Sequence, residues 1–449
     1  MPQSFSATAG MQNGFDISRL NELNQREKNI VTRRQKLLGP SYKLMYEHPV
    51  EFVRGEGVFL YDAEGNAYLD CYNNVPSVGH CNPAVVEAVA KQLAILNTHT
   101  RYMSEDILDY SEQLLNTFDS ELGHVMYTCT GSEAVDLALR IAKFYTGGTG
   151  IIVTDYAYHG ITTTVAAIST TMGEYVPVDQ HVRTVRAPDA WRAGDGVDIA
   201  QRLADDIEAA IKDMHRHGIK FAGFIADSIF STDGLLTEPA GFLKKALAVV
   251  HQYGGVYIAD EVQPGFARTG SHMWGYQRHG IVPDLVVMGK PMGNGLPIAG
   301  VVAKPELLDD FGRKVRYFNT FAGNPVCIAA AQAVLNEIQT KHLQENSRII
   351  GNYLLNGFRA IAENYSRIGD VRGAGLYHVV EFVKDSRSKE PDPEVTRQVV
   401  SELRERRVLI STTGKGGNSL KIRPLLTFRQ EHADQLLNAF EDTLKSVMG

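Results

Sequence analysis

Cysteine is scarce in this chain: Cys71, Cys81, Cys129 and Cys327 are the only four among 449 residues, and no two form a CxxC pair. That spacing suggests neither a disulfide framework nor a zinc site, so the four are expected to be small apolar core residues, and no metal is expected. Long apolar runs are also missing. None approaches the roughly 18 residues that would cross a bilayer, which argues against a membrane partner. Positive charge is not in excess either, since 45 basic against 52 acidic side chains leave a net charge of −7. A general nucleic-acid binder, which must neutralise many phosphates, is therefore not expected. No GxxxxGK[ST] string precedes a helix, which disfavours P-loop nucleotide hydrolysis. The N-terminal MPQSFSATAGMQNGF has no charged head followed by a hydrophobic stretch, so a cytoplasmic location is expected.

What remains is an ordinary globular composition, 44% apolar and 22% charged, in a chain too long for one small domain. The pattern divides it into residues 1–80, an N-terminal arm with part of a small domain, residues 81–330, a large domain, and residues 331–449, the rest of the small domain. The first thirty or so residues are polar and read as an arm that orders only against something else. Two extended stretches between Glu51 and Cys71 flank the turn-like Asp62-Ala63-Glu64-Gly65-Asn66 and predict a hairpin. From about residue 81, helical stretches such as Ser132 to Tyr145 and Phe242 to Gln252 alternate with short β-branched runs. The runs are Ile151 to Thr154, Phe224 to Asp227, Val256 to Asp260 and Leu285 to Met288. Alternation of this kind predicts an α/β domain with a mainly parallel sheet, whose ligands lie beyond the carboxyl ends of the strands. The C-terminal part reads as a smaller α+β domain, with Lys384 to Pro393 as a surface loop.

Chemistry gathers at those strand ends. One run ends in Asp260-Glu261-Val262-Gln263 and another in Gly289-Lys290-Pro291, so a carboxylate and a lysine meet at one edge of the sheet. A buried salt bridge is the plain alternative. A lysine hemmed in by glycines after an apolar strand is, however, poised to lose solvation, which lowers its pKa and frees the amine for imine formation. If pyridoxal phosphate is bound there, a carboxylate such as Asp260 keeps the pyridine nitrogen protonated, so that the ring can accept electrons. Thr130-Gly131-Ser132-Glu133-Ala134 offers backbone donors at a helix start for a phosphate, although plain N-capping gives the same string. Tyr156-Ala157-Tyr158-His159-Gly160 offers an aromatic wall, where packing alone would serve as well.

In order, Gly-Ser-Glu-Ala, Tyr-His-Gly, Asp-Glu-Val-Gln, Gly-Lys and Asn-Thr-Phe-Ala-Gly-Asn-Pro resemble the class III aminotransferase family of fold-type I pyridoxal-phosphate enzymes over roughly residues 40–449. The resemblance implies a seven-stranded sheet in the large domain and pyridoxal 5'-phosphate as cofactor. It implies Lys290 as the Schiff-base lysine and Asp260 against the ring nitrogen, with Val262 on one ring face and Tyr158 on the other. It also implies Gln263 on the ring hydroxyl, Gly131 and Ser132 on the phosphate, and Thr320 reaching the phosphate from a neighbouring subunit of a homodimer with shared active sites. Two positions depart from the family pattern: Val135 stands where asparagine is common, and Ala267 where glycine is usual.

The substrate end differs more. Relatives that bind an α-carboxylate tend to place an arginine in a C-terminal strand followed by two prolines, whereas this chain reads Leu420-Lys421-Ile422-Arg423-Pro424-Leu425. Alternate strand residues share a face, so Lys421 and Arg423 can present two cations to one ligand, which suits a phosphate dianion. Cys71-Tyr72-Asn73-Asn74-Val75 and Asn97-Thr98-His99-Thr100-Arg101 look like the ethanolamine-phosphate phospho-lyase branch and add Arg101 as a third candidate cation. Each of these cations would also serve as an ordinary ion-paired or surface residue. The implied reaction is elimination of phosphate from phosphoethanolamine or a related phosphorylated amine, giving acetaldehyde and ammonia. The alternative is an ω-amine or alanine-glyoxylate type aminotransferase that passes the amino group to a keto acid.

Overall fold

The computed structural model describes residue 11 and residues 13–449. The N-terminal arm expected from sequence lies partly outside those residues, and where it is described the expectation is corrected. Ile17–Glu22 is a 3-10 turn and Gln25–Leu38 an α-helix. Asn24 caps that helix reciprocally: its side chain accepts from the Glu27 amide at 2.9 Å, and the Glu27 carboxylate accepts from the Asn24 amide at 3.0 Å. Phe15, Leu23 and Val31 form a small buried cluster beneath it. Those apolar residues are too widely spaced to stand out in a polar stretch.

Three strands follow, β1 (Phe52–Glu56), β2 (Phe59–Asp62) and β3 (Ala67–Asp70), with β2 and β3 forming the expected hairpin. Asp62 closes its turn by accepting from the amides of Glu64 and Asn66.

The large sheet contains β4 (His124–Thr128), β5 (Gly150–Thr154), β6 (Val182–Val185), β7 (Phe221–Asp227), β8 (Val256–Asp260), β9 (Leu285–Met288) and β10 (Ala299–Ala303), in the order β4-β10-β9-β8-β7-β5-β6. β10 runs antiparallel to both its neighbours, and the other pairings are parallel. Neighbouring residues face opposite layers, so Ile151 and Val153 pack with Leu285 and Val287 on one side while Ile152, Val286 and Met288 join the core on the other. The helix Gly131–Thr146 lays Ala134, Leu137, Ala138 and Ile141 against the first side. Each fully buried leucine or isoleucine there contributes about 1.5–3 kcal/mol. This sandwich holds the strand ends, and the functional groups they carry, in fixed register.

The C-terminal part carries β11 (Ile368–Ala374), β12 (Tyr377–Phe382), β13 (Val408–Leu409), β14 (Ser411–Thr413) and β15 (Ser419–Ile422). β11, β12, β15 and β14 form an antiparallel sheet in that order, whereas β13 pairs parallel with β3 and ties the two chain ends together. The boundary expected at residues 330/331 falls inside one continuous helix, Pro325–Thr340. The expected loop after Lys384 ends at Asp392, which caps a helix beginning at Pro393. Cys71 and Cys327 are buried, but Cys129 is half-buried and Cys81 exposed, so the core assignment fails for Cys81. Among the described residues no helix is long and apolar enough to cross a membrane.

Candidate active site

β7, β8 and β9 end side by side, and their last residues open into a cleft of about 100 Å³ lined by Asp227, Asp260, Val262, Gln263 and Lys290. Larger hollows, of about 460 and 350 Å³, lie elsewhere and contain neither Lys290 nor Asp260. Chemistry, not volume, singles out the small cleft.

Asp260 is buried at the end of β8 and makes no ion pair with Lys290. Its Oδ2 lies 2.7 Å from Nδ1 of His159, and its Oδ1 accepts from the Val262 amide at 3.2 Å. His159 is itself buried, its amide donates to Ser169 Oγ, and its Nε2 has no partner among the described residues. His159 stood inside a sequence motif without a role. Its position beside Asp260 assigns one, since the imidazole orients the carboxylate. Lys290 opens onto the cleft, and the protein packed around it pushes its ammonium below the ordinary lysine value. Arg423 pushes the same way, while Asp260 and Asp227 oppose.

The helix start forms the adjoining wall. Thr130 caps it by accepting from the Glu133 amide, leaving the Gly131 and Ser132 amides without helical partners. Ser132 Oγ accepts from the Ile161 amide at 3.1 Å. Gly160, with φ +145, lies so close that a Cβ there would meet Ser132 Oγ at 2.4 Å, so only glycine permits the approach. A Cβ on Gly131 would sit 3.3 Å from Val262 Cγ2. Tyr158 lines the cleft and remains partly exposed at 42%.

Gln263 lines the cleft; its amide nitrogen donates to Ser231 Oγ at 2.6 Å, and its carbonyl oxygen accepts from Arg423 Nη1 at 2.5 Å, so each end has one partner and keeps a second hydrogen-bonding position. Ser231 in turn binds Asp227, a half-buried carboxylate that sequence reasoning passed over. The protein packed around it raises its pKa, against the opposing hydrogen bonds from Ser231 and the Ile229 amide. Nothing in the local string Ala226-Asp227-Ser228 marks it, because its importance comes from the neighbouring strands.

Lys421 and Arg423 do come near Lys290. Burial drives the Lys421 ammonium well below the usual lysine range, with repulsion from Arg423 and Lys290 adding to the shift. Arg423 is 4% exposed. Behind it the fully buried Arg268 donates to the Leu376 and Pro424 carbonyls, while its Nε and Nη2 have no partner among the described residues. Arg101 and Thr320 are not brought to this cleft. Arg101 is exposed, with its guanidinium 3.7 Å from the Phe318 ring centroid. Thr320 is exposed beside Asn319, whose amide group reaches Glu133 at 3.2 Å.

These residues fit pyridoxal phosphate. Asp260, backed by His159, would hold a protonated ring nitrogen, and Val262 and Tyr158 offer apolar and aromatic surface. The free first-turn amides would receive a phosphate, and Lys290 supplies an amine with a lowered pKa.

Comparison with known proteins agrees. The Aminotransferase class-III family model matches residues 42–444. An alanine–glyoxylate aminotransferase 2-like protein of Drosophila melanogaster is 37% identical, covering 92% of this chain and 86% of that protein. Ethanolamine-phosphate phospho-lyase homolog 1 of Caenorhabditis elegans is 34% identical, covering 93% of each. Among solved structures, an Arthrobacter phospholyase in complex with phosphoethanolamine is 46% identical with a TM-score of 0.90, covering 93% of this chain and 99% of that one. The chain therefore belongs to the class III aminotransferase family and shares its fold-type I architecture and its dependence on pyridoxal phosphate.

Proposed function

We propose that the chain is a phospho-lyase acting on phosphoethanolamine or a closely related phosphorylated amine, releasing phosphate, acetaldehyde and ammonia with uptake of one water. The observation that carries this reading is the buried Arg423, whose Nη1 donates to the cleft-lining Gln263, with Lys421 two residues earlier on β15. Arg423 at the edge of the cleft, joined by Lys421 once a nearby anion restores its ammonium, suits a dianion better than a single carboxylate. Likeness to the Arthrobacter phospholyase supports the same reading.

In this scheme Lys290, its pKa lowered by the protein packed around it, takes the proton from the carbon bearing the substrate nitrogen. Pyridoxal phosphate, when bound, supplies an electron-poor ring over which the resulting charge spreads. Asp260, oriented by His159, keeps that ring protonated. Lys421 and Arg423 stabilise the charge on the departing phosphate, the kind of electrostatic contribution that is usually largest.

The protein acts as a cytoplasmic homodimer whose sites are completed across the interface. Tyr102, Met103, Phe318 and Phe321 are exposed at 68%, 105%, 39% and 71%. A face this apolar calls for a cover, and it carries both Arg101 and Thr320. A second copy seated on it would bring these two to the neighbouring cleft.

The relationship to alanine–glyoxylate aminotransferases keeps transamination as the second reading. The two separate when holoenzyme is mixed with phosphoethanolamine and no keto acid. Sustained release of phosphate and acetaldehyde over many turnovers supports the lyase. A single turnover that only a keto acid can restart makes it an aminotransferase.

A further inference from the structure

Arg423 is restrained largely by the turn that follows β3. Its backbone amide donates to the Cys71 carbonyl at 2.6 Å. One residue on, the Tyr72 ring lies 4.8 Å from the guanidinium carbon, and Tyr377 of β12 lies 5.5 Å from it. Nη1 is taken by Gln263, and the buried Nε has no partner among the described residues. Aromatic surface against a guanidinium covers its face and leaves the in-plane N–H groups for an anion.

The turn carrying Tyr72 is itself fixed. Asp70, 2% exposed, accepts from the amides of Tyr72 and Asn73, each at 3.0 Å, and its other oxygen lies 2.8 Å from His80 Nε2. The Tyr72 ring is only half-buried, so it is not a core residue whose truncation must collapse the fold.

We infer that Tyr72 is a positioning residue for Arg423, set in place by the Asp70–His80 pair, and that together they govern affinity for the phosphate end of the substrate. The inference rests on the phospho-lyase reading, because it takes the ligand of Arg423 to be a phosphate. Neither Tyr72 nor the pair touches the reacting atoms. Their effect passes through the direction of one guanidinium.

The test is calorimetric titration of inorganic phosphate into wild-type holoenzyme and into Tyr72→Phe, Tyr72→Leu and Asp70→Asn, with the cofactor absorbance of each recorded. Tyr72→Phe, which keeps the ring, is expected to bind phosphate as the wild type does. Tyr72→Leu and Asp70→Asn are expected to bind about tenfold more weakly with unchanged cofactor absorbance. Tyr72→Leu binding as tightly as wild type sinks the inference, as does Tyr72→Leu losing cofactor in parallel, since the role is then structural. A wild type that binds no phosphate removes the phospho-lyase reading and the inference with it, whereas a failure of the inference alone leaves wild-type binding intact.

Discussion

The two sides of the cleft are assembled by different means. On the large-domain side, Asp260, Lys290, Gly131 and Ser132 arrive on strand ends and one helix start of a single sheet, and register places them together. On the other side, Lys421 arrives on β15 of the small sheet and Arg423 just beyond its end, and their directions depend on partners drawn from the rest of the chain. Gln263, Tyr72 and Tyr377 all restrain Arg423. The first side is a product of local sequence and sheet order, the second of long-range packing. Cofactor binding and substrate choice should therefore respond to mutation separately.

The same contrast explains what the sequence makes legible. Motifs announce Asp260 and Lys290 because each needs only its own strand and the glycines around it. His159 stays silent, since its partner Asp260 is 101 residues away and the contact exists only once β5 and β8 are folded into one sheet. Asp227 ends a run as plain as any other, and only its place opposite Asp260 in the sheet gives it character. Gln263 reads as a cofactor ligand by resemblance, and Arg423, 160 residues on, also holds its carbonyl. Arg101 and Thr320 lie on a face that a single chain leaves open.

Lys290→Ala gives the largest expected effect and tests the separation directly. Removing the base should lower phosphate release at least about a thousandfold. Phosphate affinity by calorimetry should stay near the wild-type value, because the cations opposite are untouched. A parallel loss of phosphate affinity would show that the two sides are not separable. Arg423→Gln is the converse. Loss of a charge-assisted hydrogen bond should raise KM for phosphoethanolamine about 10- to 100-fold, with cofactor absorbance unchanged.

Acid should weaken both domains, each through one buried histidine. His279 of the large domain is pushed down to about 4 and His378 on β12 to about 3, in both cases chiefly by burial. Both rings are neutral in the fold, while in the unfolded chain they take up protons below their ordinary value of 6.5. Stability is therefore insensitive to these groups above pH 6.5 and falls as the pH drops toward the folded-state values. From pH 7 to 5 each should contribute about 2 kcal/mol of loss. Urea denaturation at the two pH values measures the sum, and His378→Phe should remove about half of it. An unchanged loss would place the sensitivity elsewhere.

Ala267 offers the smallest effect and probes what holds the large-domain side in shape. It stands where the family usually has glycine, and its φ of +65 falls in the left-handed region that disfavours a side chain. Relief of that strain in Ala267→Gly gains about 1–2 kcal/mol. Against this stand the loss of a fully buried methyl, about 0.8 kcal/mol, and the greater freedom of glycine in the unfolded chain, about 0.4–1 kcal/mol. These nearly cancel, so the urea midpoint should correspond to a change of less than about 1 kcal/mol. Ala267→Val, whose branched side chain tolerates positive φ poorly and has no room at a site with 0% exposure, should cost several times more. The Ala267 amide donates to the Met273 carbonyl and its own carbonyl accepts from Gly270, so this turn is held by backbone bonds that any residue can make. If Ala267→Gly instead costs well over 1 kcal/mol, the methyl is a packing element supporting the segment that begins at Val262, and the large-domain side is less local than its motifs imply.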